Sequence, residues 1–454
     1  MKKVFTLLMM SLMLFSCASK RYTKKAAKFE EAGLYKDAAA YYYEAVKKKD
    51  SNVEAKLGLR KNGQMVLEDK LADFTEAYKK GDYEKAVYNF LEAEKYYDKV
   101  KGVNVELSLP EYHREYYQEA KGDFLRKKYT DGLEKLDREE FAAAEEVFGE
   151  IKSIDPEYKD VQAKYNVAKY EPMYRIGNEH LNTALYRKAY YTFDEIEKGA
   201  GNYRQTLSLK EEALEKATIS IAIPNFAASY RYNAEVSNEL TTQLKGELSN
   251  MKNPFIKVVE GGSAMPNTYN VQASSLDLPA LRLAGVDAVL LGEIVSTERK
   301  TGDVYVETKR GYVKNVTKYK DEEGNEQEKV TYDKTTYKEY KQESHAKLNI
   351  QYKLISTENG EVLLSDSRHL SDQDEVHYAK YKGDTKKLVP GYWKYRNRNT
   401  SEDVIKDKNS EIDNLRDLLK AKQSPTESKK LLEGLIDEAT EDIVKKVDKY
   451  DPES

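Results

Sequence analysis

The stretch Gly33-Leu34-Tyr35-Lys36-Asp37-Ala38-Ala39-Ala40-Tyr41-Tyr42-Tyr43-Glu44-Ala45 decides how the first half of the chain folds, because its spacing returns three more times. Gly33, Tyr35, Ala38, Tyr42 and Ala45 recur as Gly81, Tyr83, Ala86, Phe90 and Ala93. A third copy keeps Phe141, Ala144, Phe148 and Pro156, and a fourth keeps Tyr186, Ala189 and Phe193 behind Ile176-Gly177. The spacing reads as a turn at glycine, an aromatic wedged beside it, then small and large residues one turn apart on the next helix. Small residues let two helices approach, and the aromatic fills the groove between them. Tyr42 is therefore a core position, while Tyr41 and Tyr43 are groove or solvent residues. From Tyr22 to about Lys216 the chain is rich in Ala, Lys, Glu and Tyr and poor in Gly and Pro, which predicts helix throughout.

The order Gly, Tyr, Ala, aromatic, Ala resembles the second helix of the tetratricopeptide repeat. Two features depart from that family. The copies lie 48, 58 and 45 residues apart (38 to 86, 86 to 144, 144 to 189) rather than 34, so extra helix or loop separates them. Asp50 and Asp98 stand where the family has Pro, and Ile151 and Ile196 replace the last Ala in copies three and four. The resemblance implies a solenoid with a concave surface for protein segments; the alternative is a spacer between membrane and second domain.

Composition shifts near Thr218. Ile219, Ile221 and Ile223 alternate as in a strand, and Val236, Leu240, Leu244 and Leu248 build one apolar helix face. A strand at Phe255 to Val259, a short helix around Pro279 to Leu283 and a buried strand at Ala288 to Leu291 follow. Leu348, Ile350, Tyr352 and Leu354 then alternate, turn at Asn359-Gly360 and return through Val362-Leu363-Leu364. The carriers Ile221-Ala222-Ile223-Pro224-Asn225-Phe226, Ala284 to Ile294 and Leu354 to Val362 resemble the curli-secretion-channel-like and TolB amino-terminal envelope domains over about 150 residues. That resemblance implies an envelope assembly or secretion component. An insertion from Gly302, turning at Asp321-Glu322-Glu323-Gly324-Asn325, predicts an extended β-hairpin. Its Lys, Glu, Asp, Thr and Tyr positions would be costly against lipid, so it reads as a soluble ribbon, either meeting a partner or mobile.

The expected fold is multidomain: TPR-like helical repeats at 22–216, then an α/β (α+β) sandwich domain at 218–370 with a β-ribbon insertion at 302–345. An aromatic loop region at 371–401 and C-terminal helices at 402–454 complete it. Val389-Pro390-Gly391-Tyr392-Trp393-Lys394-Tyr395 concentrates aromatics beside cations, which suits a glycan or protein contact, or a packed lid.

The amino terminus has the order of a secretory signal at 1–16: Met1-Lys2-Lys3, the apolar run Val4 to Phe15, then Ser16. That run is shorter than the roughly 20 apolar residues a spanning helix needs. Leu14-Phe15-Ser16-Cys17 resembles the bacterial lipobox, which implies that Cys17 carries S-diacylglycerol and N-acyl groups, palmitate among them, on a short tether at 17–21. At about 0.8 kcal/mol per buried methylene, two acyl chains anchor stably. Cys17 is the chain's single cysteine, so no disulfide or thiol site is expected in the body. Ala18 and Ser19 after the cysteine match outer-membrane sorting, and Lys20, Arg21, Lys24 and Lys25 lack the acidic signal of surface-exported Bacteroidetes lipoproteins. A periplasm-facing outer-membrane lipoprotein is the expectation.

Lys plus Arg number 75 and Asp plus Glu 79, so nothing recommends a nucleic-acid partner. No nucleophile elbow, phosphate loop, zincin helix or paired-cysteine site appears, and Gly261-Gly262-Ser263 lacks the lysine of a phosphate loop. His369 and His377, near Asp366, Asp372 and Asp374, form the one weak metal constellation, outweighed by a solvated acidic loop. Hence no catalytic residue, metal site or cofactor is assigned. The expected function is a non-enzymatic protein-binding scaffold in cell-envelope assembly or secretion, with envelope proteins as partners and oligomerisation open. The alternatives are a subunit of a curli-channel-like outer-membrane secretion complex and a cell-wall or glycan-binding lipoprotein.

Overall fold

A computed structural model describes residues 18–228, 233–265 and 273–453; Cys17 and the signal segment lie outside the described residues. Helices come first: α1 at 18–31, α2 (Tyr35–Lys48), α3 (Val53–Lys79), α4 (Tyr83–Lys101), α5 (Glu111–Asp137), α6 (Phe141–Ile154), α7 (Val161–Asn182), α8 (Tyr186–Ala200) and α9 (Thr206–Ala217). A mixed sheet and C-terminal helices follow. No helix among the described residues is long and apolar enough to cross a membrane.

The four sequence copies are four helical hairpins closed by one turn. Gly33, Gly81, Glu139 and Ala184 all hold the left-handed conformation, with φ of 74°, 72°, 57° and 60°. The next residues, Leu34, Asp82, Glu140 and Leu185, each donate an N–H to the carbonyl five residues back, on Phe29, Ala77, Lys135 and His180. That bond closes a Schellman turn and satisfies a carbonyl the helix end leaves open. Beyond each turn Ala38, Ala86, Ala144 and Ala189 are fully buried, with the rings of Tyr42, Phe90, Phe148 and Phe193 buried one turn further on.

The expected glycine turn is thus present in two copies only. In the fourth, Gly177 is no turn: a Cβ there would stand 2.5 Å from the Phe193 ring, so the glycine makes room for the aromatic. Gly132 does the same for Phe148 and Gly58 for Tyr42, at 2.7 and 2.4 Å. The long separations between copies come from α3 and α5, 27 residues each, and from an extended segment at 104–110.

Tyrosine hydroxyls stitch this unit together. Tyr35 donates to Asp69, Tyr42 to Glu30, Tyr78 to Glu119, Tyr88 to Glu150, Tyr129 to Asp160, Tyr165 to Glu145 and Tyr203 to Glu171. Each bond joins two different elements, and a hydrogen bond to an ionised acceptor is stronger than a neutral one.

The second unit is built on strands β1 (Ile219–Ala222), β2 (Ala227–Ala228), β3 (Ile256–Val259), β4 (Ala288–Thr301), β5 (Tyr305–Lys320), β6 (Glu326–Ser356), β7 (Val362–Lys380), β8 (Leu388–Tyr392) and β9 (Val404–Ile405). The sheet order is β3-β1-β4-β6-β5-β8-β9, with β2 on β4 and β7 on β6. β1 is parallel to β3 and β4, and the other pairs around β6 are antiparallel. β4 and β5 follow one another along the same edge of β6, interrupted at 302–304, so they form one long arm of a hairpin that turns at 321–325.

Helices α10 (Ala234–Ser249) and α13 (Ser428–Asp448) cover one face, where Leu240, Leu244, Leu435, Ile436 and Ile443 meet Ile221, Leu290, Leu348, Ile350 and Leu354. The short α11 (Leu278–Leu283) covers part of the other face through Leu281 against Val289, Leu291 and Ile355. The three motifs singled out in the sequence interlock here. Phe226 lies on Gly292, where a Cβ would stand 2.1 Å from its ring. Asp287 accepts from the Ser220 N–H at 2.8 Å, and Thr357 donates its hydroxyl to the Val286 carbonyl at 2.6 Å.

Residues 371–380 continue β7 rather than starting a loop. Ser371-Asp372-Gln373-Asp374-Glu375 has no apolar alternation, yet each residue pairs in register with β6, so backbone hydrogen bonds hold a strand that side chains do not announce. A further helix, α12 (Asn409–Lys420), packs on β7 and β8.

The two compact units are interlaced in sequence: one comprises residues up to Glu179 and Thr192–Leu207, the other His180–Tyr191 and Ser208 onward. Within the second unit, the Glu453 carboxylate accepts from the backbone N–H groups of Arg187 and Lys188, at 2.5 and 3.3 Å, which are open donors in the first turn of α8. The Arg187 guanidinium stacks on Phe255 at 5.0 Å and donates to the Tyr450 carbonyl.

Two substitutions seven residues apart separate the two uses of small residues. Ala184→Gly should raise stability by a few tenths to about 1 kcal/mol by relieving left-handed strain. Gly177→Ala should lower it by about 1–3 kcal/mol through overpacking against Phe193. Thermal unfolding of the two variants beside the parent measures both signs.

Candidate binding groove

An open concavity in the helical unit runs along α3. It measures about 1220 Å³ and is bounded by α3 residues from Arg60 to Lys79 and by the segment Glu106 to His113. α3 outreaches its neighbours, so the chain leaving α4 must return beside it before α5 begins. Val105 and Leu107 are buried on that return. The Gln64 side chain holds the segment in two bonds: its amide N–H donates to the Ser108 carbonyl at 3.1 Å, and its carbonyl accepts from the Ser108 N–H at 2.8 Å. A side-chain amide here reads an extended backbone as a neighbouring strand would.

His113 closes one end. It is 6 % exposed, packs against Phe74 and Tyr112 at centroid distances of 6.0 and 4.1 Å, and its Nδ1 has no hydrogen-bond partner. Burial pushes its pKa below the ordinary value, so the ring is neutral at pH 7. Beside it Tyr78 stacks on Tyr116 at 4.8 Å, and its hydrogen bond to Glu119 pushes the Tyr78 phenol up to about 12. Tyr112 and Tyr116 remain 50 % and 39 % exposed. The groove offers cations, carboxylates, aromatic faces and amides but pairs no nucleophile with a base, which suits binding. Sequence reading missed it, because Gln64 and His113 lie outside the repeat positions; the interval between copies two and three was the available signal.

The other sequence-derived residues fall elsewhere. Cys17 lies outside the described residues. Tyr42 is buried, while Tyr41 stacks on Phe29 at 5.2 Å under the Lys25 ammonium, and Lys99 lies over the Tyr43 ring. His369 hydrogen-bonds Asn349 and His377 hydrogen-bonds Glu339; Asp366 pairs with Lys446, and Asp374 with Lys422 and Thr426. Among the described residues no group of three or more His, Cys, Asp or Glu side chains converges as metal ligands. Gly262–Ala264 is a single helical turn.

Trp393 is 8 % exposed and forms a packed strap over the root of the hairpin. Its indole N–H donates to the Gly311 and Thr335 carbonyls, and Arg310 covers its ring at 5.1 Å while donating to its carbonyl. Lys334 meets the Asp403 carboxylate at 2.5 Å and donates to the Tyr395 and Arg398 carbonyls. One face of the strap's anchor ring and its N–H edge are thus engaged within the unit. Before Lys338, β6 has no β7 partner, and β5 meets β8 only at 311–313, which leaves 315–331 as a two-stranded ribbon.

No protein-family model and no curated protein matches the chain.

The strap has a pH signature. The hydrogen bond from Lys334 holds the Asp403 carboxyl well below the usual range. A depressed carboxyl stabilises the fold above its unfolded pKa of about 3.9, and that contribution is lost as pH falls below it. Trp393 is the chain's one tryptophan, so its emission should shift red on acidification below about pH 4. Asp403→Asn should shift it red already at neutral pH; a blue, pH-independent emission in that variant would rule the coupling out.

Proposed function

We propose that this chain is a non-enzymatic, membrane-anchored lipoprotein that scaffolds other proteins in cell-envelope assembly or secretion. In this reading Cys17 carries the S-diacylglycerol and N-acyl groups and fixes the protein to the periplasmic side of the outer membrane. The helical hairpins form a tetratricopeptide-like array at 22–216 that binds a segment of an envelope protein. The curli-secretion-channel-like and TolB-like domain, with its ribbon, joins the assembly.

The observation that supports it most is the fourfold recurrence of one hairpin turn together with the groove along α3, where Gln64 already holds an extended segment by its backbone. Repeated hairpins bury a continuous core and leave one side open for extended partners. A channel-subunit reading draws on the ribbon at 315–331, whose strand edges are open to pairing.

Two experiments test the reading. Cells fed labelled palmitate should label the parent but not Cys17→Ala, and the variant should leave the membrane fraction. A photo-crosslinking residue at the exposed Ala72 in the groove should capture a discrete protein, and one at Glu441 on α13 should not. Absence of label in the parent removes the anchor, and absence of a groove-specific crosslink removes the scaffold.

A further inference from the structure

The described residues begin immediately after the proposed anchor. Ala18 is already in α1, and one peptide bond separates it from Cys17. Ser19 is fully buried, its hydroxyl donating to the Ala45 carbonyl at 2.8 Å. Asn52, which also caps α3 through the Ala55 N–H, donates its amide to Ser19 and to Thr23, each at 2.9 Å. The start of α1, the end of α2 and the start of α3 are therefore tied together at one end of the helical unit, with no slack at 18–21 for a flexible tether.

That end is cationic. Lys20, Arg21 and Lys24 on α1 and Lys47, Lys48 and Lys49 at the end of α2 are all exposed. The acidic groups nearby are Glu44, Asp50 and Glu54, and Asp50 is engaged by Lys56 at 2.8 Å. Cations at the C-terminal end of α2 also complement its helix dipole, so they have a local role there.

We propose that this end is a docking surface for an anionic phospholipid bilayer, seating the first hairpin flat against the headgroups rather than letting the protein swing on its lipid. The proposal rests on the lipoprotein reading for what brings the surface to the membrane, and on charge complementarity for what it touches there. Cations within a Debye length of an anionic leaflet bind additively, and those buried at the interface escape most screening. An acyl anchor and a basic patch are two signals that reinforce one another.

The test uses the unlipidated chain 18–454, which retains all the contacts described above, and vesicles of phosphatidylcholine alone or with phosphatidylglycerol. The chain should sediment with the phosphatidylglycerol vesicles only, and about 0.5 M salt should release it. The variant Lys20→Gln, Lys24→Gln, Lys47→Gln, Lys48→Gln should bind about fivefold more weakly for each charge removed, ~1 kcal/mol each. A control with Lys257, Lys382, Lys386 and Lys420 changed to Gln should bind as the parent does, with circular dichroism showing both variants folded. Equal binding to both vesicles, no binding to either, or equal losses in the two variants overturns the proposal. Mass spectrometry of the membrane-extracted protein reads the acyl groups separately, so an unmodified Cys17 would remove the anchor while leaving the vesicle result to stand on its own.

Discussion

Phe226 lies so close to Gly292 that a methyl group there would stand 2.1 Å from its ring, and the same contact recurs at several junctions between elements. Tyr42 covers Gly58, Phe148 covers Gly132, Phe193 covers Gly177 and Tyr312 covers Gly391. A ring against a bare α-carbon gains area on both sides while letting backbones approach, and neither partner can change alone. The body of the chain has no cysteine, so packing of this kind, without disulfides, holds its elements together. The constraint also places the groove: α3 can lie against α2 only because Gly58 admits Tyr42, and the face of α3 that remains open is what the segment at 104–110 borders.

Why tyrosine outnumbers phenylalanine 37 to 11 follows from the second half of the same contact. A buried ring supplies area, and a hydroxyl at its end reaches a carboxylate on the neighbouring helix. Burial first, and then the bond to Asp160, push the Tyr129 phenol up to about 12; Tyr203 is raised likewise by burial and by Glu171. In return, the bond from Tyr129 holds Asp160 below its ordinary range, so both groups keep the ionisation that binds them. Seven of the 37 tyrosines are spent in this way inside the helical unit. Trp393, the chain's one tryptophan, lies beneath Arg310.

The hairpin positions were legible because burial recurs with the helix period: Ala38, Ala86, Ala144 and Ala189 sit in one pattern and in one environment. The strands at 219–222 and 348–354 were legible for the same reason at period two, and the one at 288–291 as a continuous apolar run, which is buried throughout. What escaped was structure held by the backbone. Glu139 and Ala184 make the turn that Gly33 and Gly81 make, because the Schellman bond repays the strain of a left-handed residue, and no side chain marks it. The polar end of β7 is fixed by its register with β6. The groove escaped because Gln64 acts on a backbone 44 residues away, a pairing that no local pattern encodes. The clamp of Glu453 on the first turn of α8 is longer in range still.

The ribbon at 315–331 shows how far register constrains function. Val316 faces Val330, Lys318 faces Glu328 and Lys320 faces Glu326 on one side; Asn315 faces Thr331, Thr317 faces Lys329 and Tyr319 faces Gln327 on the other. Opposite charges across a strand pair stabilise it in water, each by a fraction of a kcal/mol. Against lipid the same lysines cost about 2–4 kcal/mol each at mid-depth, and here both faces carry charge, so no rotation of the ribbon presents an apolar side. Lysines along an edge also discourage pairing with an unrelated strand. The strap fixes the ribbon's root through Trp393 and Lys334, while the tip is held by its own cross-strand pairs alone. The ribbon is thus a polar arm with a fixed base and open strand edges, a surface suited to water rather than to lipid.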